Sequence, residues 1–272
     1  MKKILITGSS GYIGSHLSKM LVNLCYEVHG LDIKKPLYAP HNFSEIDITN
    51  KLTNFFPHYD CIIHLAALVQ VGESNKIPSQ YYHNNIQGTI QALNISHSNF
   101  IFASTGAAQQ PNSPYAFSKL AAEQCVQELA PRKHTIFRFY NVVGQAGFKP
   151  TNPDGLMSKL IEAKKSGTFT LYGTDYATRD GTAVRDYVHV QEICAAIVEA
   201  VEQPSNLIEN LGHGIGHTVR EIAESFKQAN NCDFQYVAGP RRPGDLESSV
   251  LDKPSKYMQR LYKIEELLAV RE

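Results

Sequence analysis

The sequence has no excess of charge of either sign and no long apolar segment. Its 26 lysines and arginines equal its 26 aspartates and glutamates, so the charge balance gives no reason to expect nucleic acid or an anionic membrane as a partner. The apolar residues before Thr7 are too few for a signal-peptide core, and no later run is long enough to span a bilayer. We therefore expect a soluble protein.

Cysteine is also scarce. The chain has five cysteines, an odd number, far apart and without a Cys-x-x-Cys pair. This pattern argues against a disulfide framework and against a zinc site, so we expect no bound metal. Reduced thiols are typical of proteins in the cytoplasm, which is therefore the expected location.

Strand and helix patterns alternate through the first half of the chain. A length of 272 residues with 43% hydrophobic content is ordinary for a globular protein. Short apolar runs predict five strands, and helical spacing of apolar residues predicts helices between them. This alternation favours an α/β fold with a doubly wound parallel sheet, because right-handed crossovers cover both faces of the sheet. The predicted strands are 4–6, 28–33, 61–65, 100–103 and 135–139, and the helices 12–24 and 115–129.

The composition and apolar patterning of the sequence change after Gly144. The segment 147–155 holds two prolines and two glycines with little apolar patterning, which is typical of a domain boundary. We expect a first domain at 1–145, a smaller α/β domain at 146–272, and a segment near 182–210 that returns to the first domain. Helices are predicted at 156–165, 190–201 and 219–229.

Three glycines, Gly8, Gly11 and Gly14, separate the first predicted strand from the first predicted helix. Glycine permits positive φ in such a turn, and the helix N-terminus offers N–H groups and partial positive charge to a pyrophosphate. Asp32 ends the second predicted strand, where a carboxylate accepts a hydrogen bond from the adenosine ribose and repels a 2′-phosphate. This order predicts a Rossmann-type dinucleotide site and favours NAD over NADP.

A Tyr-x-x-x-Lys pair, Tyr115 and Lys119, opens the helix after the fourth predicted strand. Residues four apart share one helical face. A tyrosine base needs its pKa lowered from about 10 to about 7, a change of about 4 kcal/mol. The lysine ammonium and the charge of an oxidised nicotinamide are candidate sources. An assisting hydroxyl comes from Thr105 or from its neighbour Ser104, and the residues alone leave both open.

The chain resembles the UDP-hexose 4-epimerases, a group within the extended short-chain dehydrogenase/reductases, almost end to end. The most specific match is 180–190, which reads Asp-Gly-Thr-Ala-Val-Arg-Asp-Tyr-Val-His-Val. Sister dehydratases carry acidic residues after the fourth strand, whereas this chain has Thr105-Gly106-Ala107, which disfavours elimination. Other matches lie at 71–74, 82–89, 113–119, 138–141 and 239–245.

The resemblance implies a mechanism. Tyr115 would remove the proton of the sugar 4-OH while C4 gives its hydride to NAD, and the 4-keto sugar would rotate and take the hydride back on its other face. Lys119 would hold the nicotinamide ribose, and Thr105 would assist at the hydroxyl. The implied cofactor contacts are Gly8, Gly11, Tyr12, Ile13, Gly14, Asp32, Asp47, Ile48, Leu65, Ala66, Ala67, Asn85, Tyr115, Lys119 and Phe139.

The resemblance also implies a UDP-sugar site. Arg185 and Arg242 match arginines that contact the diphosphate, for which the guanidinium geometry is well suited, and Asp245 matches a carboxylate that contacts the ribose. Ser249 stands where many epimerases have a tyrosine, so room for an N-acetyl group predicts tolerance of UDP-N-acetylglucosamine and UDP-N-acetylgalactosamine. The implied substrate contacts are Thr105, Tyr115, Asn141, Leu156, Tyr172, Arg185, Arg242, Asp245 and Ser249.

Two other functions stay open from the sequence. A nucleotide-sugar 4-ketoreductase or dehydrogenase would consume external NAD(P)H, and a non-catalytic protein would only bind NAD or a nucleotide sugar. The stretches 33–47 and 105–115 are shorter than in typical members, which favours the non-catalytic alternative, whereas Tyr115, Lys119 and Thr105 speak against it. The resemblance further implies a homodimer formed through two helices of the first domain.

Overall fold

The structure is a computed structural model that describes residues 1–52, 56–145, 147–242, 244–258 and 264–270. Contacts within the chain divide it into two units, Met1–Arg138 with Cys194–Glu209 and Phe139–Ile193 with Asn210–Glu272. The functional division into cofactor-binding and substrate-binding domains stays a prediction. In the part of the chain described, no helix is long and apolar enough to cross a bilayer.

Strands and helices alternate along most of the chain. The strands are β1 (Lys3–Thr7), β2 (Glu27–Asp32), β3 (Asn42–Glu45), β4 (Cys61–His64), β5 (Asn99–Thr105), β6 (Lys133–Phe139), β7 (Asn141–Val143), β8 (Thr168–Tyr172), β9 (Val184–His189), β10 (Leu207–Leu211), β11 (Gly216–Thr218), β12 (Gln235–Gly239) and β13 (Ser248–Ser249). The helices are α1 (Tyr12–Asn23), α2 (Val71–Ser74), α3 (Pro78–Tyr82), α4 (Gly88–Leu93), α5 (Pro114–Leu129), α6 (Leu156–Ser166), α7 (Val190–Glu202), α8 (Val219–Ala229) and α9 (Ile264–Leu268), with a π-helical turn at His83–Gln87 and a 3-10 turn at Gly106–Gln109.

A seven-stranded parallel sheet confirms the predicted doubly wound α/β class. Its strand order is β10-β6-β5-β4-β1-β2-β3, and β1 pairs in parallel with both β2 and β4. The chain runs outward from β1 to β3 and then returns to place β4 on the other side of β1. The carboxyl ends of β1 and β4 therefore meet where the strand order reverses, which is where open α/β sheets bind their ligands.

The central strands of this sheet are buried. Ile4, Leu5 and Ile6 of β1 and Ile62 and Ile63 of β4 have no exposed surface. Such continuous apolar runs are required of a parallel sheet covered on both faces, which is why the sequence predicts these strands.

The second unit contains a smaller mixed sheet around β9 and a separate pair of strands, β8 and β12. Strand β9 pairs antiparallel with β11 and parallel with β7 and β13, and β8 pairs in parallel with β12. Helices α6 and α8 contribute Leu160, Ile222 and Phe226 to the unit's buried core. This arrangement sets Ser249 of β13 beside Arg185 of β9 in the strand register.

Candidate active site

The turn from β1 into α1 requires glycine at two positions. Gly8 has a φ of +73°, and a Cβ on it would lie 2.7 Å from the amide nitrogen of Ala66. A Cβ on Gly14 would lie 2.2 Å from the carbonyl oxygen of Gly8. At these two positions the backbone of the turn lies in direct contact with neighbouring backbone, including the chain after β4. No residue larger than glycine fits there.

Helix α1 begins in a way that suits an anion. Its N-cap residue, Gly11, provides no side-chain cap, and the first turn has no acidic residue. The helix end therefore presents backbone N–H groups and partial positive charge without a capping oxygen from its own N-cap residue. Together with the close backbone packing at Gly8 and Gly14, this fits the pyrophosphate of a dinucleotide.

Asp32 is fixed beside this turn. One carboxylate oxygen accepts the N–H of Ser10 at 3.0 Å, and the other accepts the N–H of Lys34 at 3.1 Å. Because Ser10 belongs to the glycine turn, the end of β2 and the turn are locked together. Each oxygen keeps a second lone pair, so the half-buried carboxylate can also accept ribose hydroxyls.

The residues after β4 lie against the same turn. Leu65 donates its N–H to the carbonyl of Thr7 at 3.0 Å, and Ala66 is the residue that a Cβ on Gly8 would strike. The structure thus brings Leu65, Ala66 and the following Ala67 to the glycine turn. Tyr12 and Ile13, the first two residues of α1, adjoin the turn and are partly exposed.

The side chains of several other predicted cofactor contacts are hydrogen-bonded or packed within the protein. The exposed Asp47 accepts the N–H and the hydroxyl of Thr49 at 2.9 and 2.8 Å. Ile48 is buried in the core of the first unit. Asn85 donates to the Leu68 carbonyl at 3.0 Å and accepts the Leu68 N–H at 2.8 Å. Direct contact of these side chains with a cofactor stays a prediction, as does that of the partly buried Phe139 at the end of β6.

Tyr115 and Lys119 occupy the first turns of α5, which Ser113 caps by accepting a backbone N–H. Thr105, the last residue of β5, lies close enough to Tyr115 for its hydroxyl to favour the phenolate. Tyr81 packs edge to face on the Tyr115 ring with 6.4 Å between ring centroids. The predicted catalytic tyrosine, its lysine and the threonine hydroxyl are thus brought together at the end of β5.

The surroundings of Tyr115 within the protein do not by themselves lower its pKa. Burial raises the pKa of Tyr115 to about 12, and the Thr105 hydroxyl opposes this rise. Burial also lowers the pKa of Lys119 to about 7, an effect that the negative charge of Glu123 opposes. Desolvation disfavours the charged form of both groups, and the lowered tyrosine pKa expected from the ammonium together with an oxidised nicotinamide stays a prediction.

The structure separates the two candidate hydroxyls. Thr105 is partly exposed and faces Tyr115, whereas Ser104 is 4% exposed and donates to the Glu123 carboxylate at 2.5 Å. Neighbouring strand residues face opposite sides of a sheet, so only one of the two can reach the tyrosine. Thr105 is therefore the residue placed to assist Tyr115, and that role stays a prediction.

A buried ionic network lies beside this pair. Glu123 of α5 has no exposed surface, and Arg138 of β6 donates to it through Nε at 2.9 Å and Nη2 at 2.6 Å. The sequence patterns indicate no role for Glu123, Arg138 or Tyr81. The spacing of Glu123 four residues after Lys119 was the available signal.

In the second unit, the predicted diphosphate and ribose contacts are paired with each other. The Arg185 guanidinium forms an ion pair with Asp245 and donates to the Leu246 carbonyl at 2.7 Å. Ser249 is the strand neighbour of Arg185. Arg185 is thus brought together with two predicted site residues, Asp245 and Ser249, that lie about 60 positions later in the sequence.

Arg242 is exposed and lies over the ring of Tyr172, 4.3 Å from its centroid. Asn141 of β7 donates to the carbonyl of Asp186 at 3.3 Å, which ties it to β9. Leu156 begins α6 and packs against the core of the unit. The structure therefore joins Arg242 with Tyr172, places Asn141 beside β9, and gives Leu156 a packing contact.

The chain is similar to proteins of known activity over most of its length. The NAD dependent epimerase/dehydratase family matches residues 4–212. A UDP-glucose 4-epimerase of Haemophilus influenzae is 31% identical over 300 residues, covering 92% of this chain and 89% of its own.

Solved structures agree with this match. The UDP-glucose 4-epimerase of Bifidobacterium longum, in complex with NAD+ and UDP, superposes with a TM-score of 0.87 at 25% identity and covers 98% of this chain and 96% of its own. The UDP-glucose 4-epimerase of Thermus thermophilus, in complex with NAD, gives a TM-score of 0.80 at 30% identity, covering 92% of this chain and 90% of its own.

Proposed function

We propose that this chain, which belongs to the NAD dependent epimerase/dehydratase family, interconverts UDP-hexoses by oxidation and reduction at C4 of the sugar. The observation that carries the proposal is the placement of Tyr115 and Lys119 in the first turns of α5, with Tyr115 beside Thr105 at the end of β5, in the same unit as a glycine turn that fits a dinucleotide. The similar proteins support it, because they include UDP-glucose 4-epimerases with NAD and UDP bound.

The chain's own residues account for binding of the cofactor. When bound, NAD supplies a hydride acceptor that is restored within each turnover. The N-terminus of α1 binds the pyrophosphate, and Asp32 accepts hydrogen bonds from the adenosine ribose. Lys119, with its buried ammonium above the Phe102 ring, holds the nicotinamide ribose.

The proton at the sugar 4-OH is handled by Tyr115. The phenolate oxygen takes this proton as C4 is oxidised and returns it as the keto group is reduced. Thr105 holds the reacting hydroxyl and stabilises the phenolate by hydrogen bonding. A positive charge close to the phenol is needed to offset the burial that raises its pKa, and the Lys119 ammonium contributes to it.

The residues after Thr105 favour epimerisation over dehydration. Gly106 and Ala107 form the 3-10 turn that follows β5, and Ala107 donates its N–H to the Thr105 hydroxyl oxygen at 3.3 Å. Elimination of water needs an acid and a base at these positions, and neither residue has an ionisable side chain.

The second unit supports recognition of a UDP-sugar. Arg185 and Arg242 provide guanidinium groups for the diphosphate, and Asp245 provides a carboxylate for the uridine ribose. Ser249, beside Arg185 in the sheet, leaves space for an N-acetyl group, so we include N-acetylated UDP-hexoses among the substrates.

A cytoplasmic homodimer completes the proposal. The five cysteines are all free thiols, which suits a reducing compartment. Phe117 and Leu120 on α5 are 47% and 37% exposed, and Tyr82 at the end of α3 is 38% exposed. These apolar side chains on helices of the first unit are suited to pack against a second copy.

Turnover without added cofactor tests this function. Purified protein is incubated with UDP-galactose, and the nucleotide sugars are separated by chromatography. Formation of UDP-glucose without net NADH, lost in Tyr115→Phe, is expected. Stoichiometric use of NAD(P)H would instead indicate a ketoreductase, and inactivity of a protein that carries NAD would indicate a binding protein.

A further inference from the structure

We propose that Glu123 is a positioning residue that keeps Lys119 charged, from within a buried network with Arg138 and Ser104. The inference rests on the proposed function, because it concerns the lysine to which that function assigns a role. Glu123 itself touches neither Tyr115 nor Thr105 in the hydrogen bonds of the structure, so it acts through another residue.

The spacing along α5 places the three groups on one side of the helix. Tyr115, Lys119 and Glu123 follow one another at intervals of four residues, and residues four apart lie one above the other on a helix. Lys119 is 3% exposed and Glu123 is 0% exposed. An ammonium and a carboxylate one turn apart and away from water attract each other more strongly than an exposed pair does.

The carboxylate of Glu123 is held by residues of two strands. Ser104 of β5 donates to it at 2.5 Å, and Arg138 of β6 donates through two nitrogens at 2.9 and 2.6 Å. A two-pronged arginine contact fixes both the position and the plane of a carboxylate. Rotation of Glu123 away from Lys119 would therefore break bonds to both neighbouring strands.

A stabilising role alone does not explain this network. Buried ion pairs add little to stability compared with apolar residues of the same volume, and their removal in pairs is often tolerated. A charge kept at this depth on the catalytic helix is better explained by its effect on the neighbouring lysine.

Three further groups near Lys119, namely Phe102, His64 and Tyr115, supply no negative charge near pH 7. The Phe102 ring of β5 lies 4.1 Å below its ammonium, and the buried His64 of β4 is influenced by the lysine charge. Burial lowers the pKa of His64 to about 3, so it is neutral near pH 7. On α5 itself, Tyr115 is neutral until its pKa of about 12 is approached.

These neutral groups do not offset the effect of burial, which lowers the pKa of Lys119 to about 7. The negative charge of Glu123 opposes this fall in pKa. Arg138 of β6 is positively charged, and it faces Glu123 through the bidentate contact. Glu123 therefore decides which fraction of the lysine is protonated at neutral pH. Replacing the carboxylate by an amide of the same shape is expected to lower the lysine pKa further.

Direct titration of Lys119 tests the proposal. Lysine side chains are labelled with carbon-13 at Cε, Lys119→Met assigns the resonance, and its pKa is read by NMR in the wild type, in Glu123→Gln and in Glu128→Gln. Glu128 is an exposed carboxylate on the same helix and serves as the matched control. We expect a drop of about 1 pH unit in Glu123→Gln and no change in Glu128→Gln.

The pH dependence of turnover gives the second readout. In Glu123→Gln the alkaline limb of kcat moves to lower pH by the same amount, because the ammonium is lost earlier, while KM for the UDP-sugar stays within about threefold. An unchanged lysine pKa and an unchanged limb in a folded Glu123→Gln protein would overturn the proposal.

A double variant separates charge from packing. Glu123→Leu with Arg138→Met removes both charges and retains apolar volume, which buried pairs often tolerate. If Glu123 acts by its charge, loss of the Arg138 guanidinium offsets part of the loss of the carboxylate, so the Lys119 pKa of a double variant whose fold is intact by circular dichroism lies above that of Glu123→Gln. A Lys119 pKa in the double variant as low as in Glu123→Gln, or lower, would show that the charges of the network do not set it. Because NMR titration needs no turnover, an inactive wild type would refute the proposed function without deciding this point.

Discussion

Ser104 donates its hydroxyl to the buried carboxylate of Glu123 at 2.5 Å, whereas its chain neighbour Thr105 faces Tyr115 and favours its phenolate. Side chains alternate along β5, so the two hydroxyls have different partners. One faces the proposed catalytic tyrosine, and the other belongs to the network that supports α5.

Substitutions at these two positions should therefore differ. Thr105→Ala is expected to lower kcat by about 100-fold, because it removes a hydroxyl that stabilises the phenolate. Thr105→Ser keeps the hydroxyl and should retain most of the activity. Ser104→Ala should lower kcat less than about fivefold. Steady-state kinetics on folded proteins checks this, and a Ser104→Ala defect as large as that of Thr105→Ala would contradict the assignment.

The backbone packing at the glycine turn predicts a cofactor-binding defect. Gly14→Ala places a Cβ where only 2.2 Å separates it from the Gly8 carbonyl oxygen, so the turn must shift. We expect NAD affinity to fall by about 100-fold or more. Gly72→Ala is the matched control, because nothing lies within 4 Å of a Cβ there. Equal NAD affinities for the two variants, measured by calorimetry, would contradict the site.

The buried His64 predicts a loss of stability in acid. Burial lowers its pKa to about 3 from the ordinary 6.5, with a smaller contribution from the Lys119 charge. Between pH 6.5 and 3 the unfolded chain binds a proton that the folded protein does not, so stability falls as the pH falls, by at most about 1.4 kcal/mol per unit.

Chemical denaturation of His64→Gln between pH 6 and 4 measures this contribution. An amide can still bond the hydroxyls of Thr7 and Thr89, which contact the imidazole at 2.6 and 3.1 Å. The variant should show a shallower pH dependence than the wild type. Substituting the exposed His83 in the same way should leave the slope unchanged, and equal slopes in all three proteins would be inconsistent with a neutral buried His64.

The strand register of Ser249 beside Arg185 predicts the effect of a larger side chain on sugar choice. Ser249→Tyr should lower kcat/KM for UDP-N-acetylgalactosamine by at least about tenfold, because the phenol fills the space for the N-acetyl group, and should leave UDP-galactose turnover within about threefold. Parallel assays of the two substrates check this. Unchanged turnover of the N-acetylated sugar would show that Ser249 does not border the 2-substituent.

Strongly apolar elements could be predicted from the sequence. The runs of β1 and β4 and the spacing of α8 identify these elements because their side chains are buried in a repeating pattern. Strand β3, with the sequence Asn-Phe-Ser-Glu, gave no such signal. It pairs at the sheet edge, where main-chain bonding to β2 determines the strand and side chains matter less.

The site was predictable where chemistry sets the spacing. Gly8, Gly14 and the Tyr115–Lys119 pair follow from local rules of turns and helices. The direction of the Tyr115 pKa was not predictable, because desolvation depends on what the fold packs around the phenol. The ion pair of Arg185 with Asp245 was not predictable either, since Asp245 approaches Arg185 only once β13 pairs with β9.

The central claim is that one hydride leaves C4 of the sugar and returns to the same carbon. UDP-galactose carrying deuterium at C4 is incubated with the protein in ordinary water, and the UDP-glucose formed is analysed by mass spectrometry and NMR. The account predicts that deuterium is retained at C4, since Tyr115 exchanges only the hydroxyl proton. Loss of the deuterium to solvent in an active enzyme would contradict it.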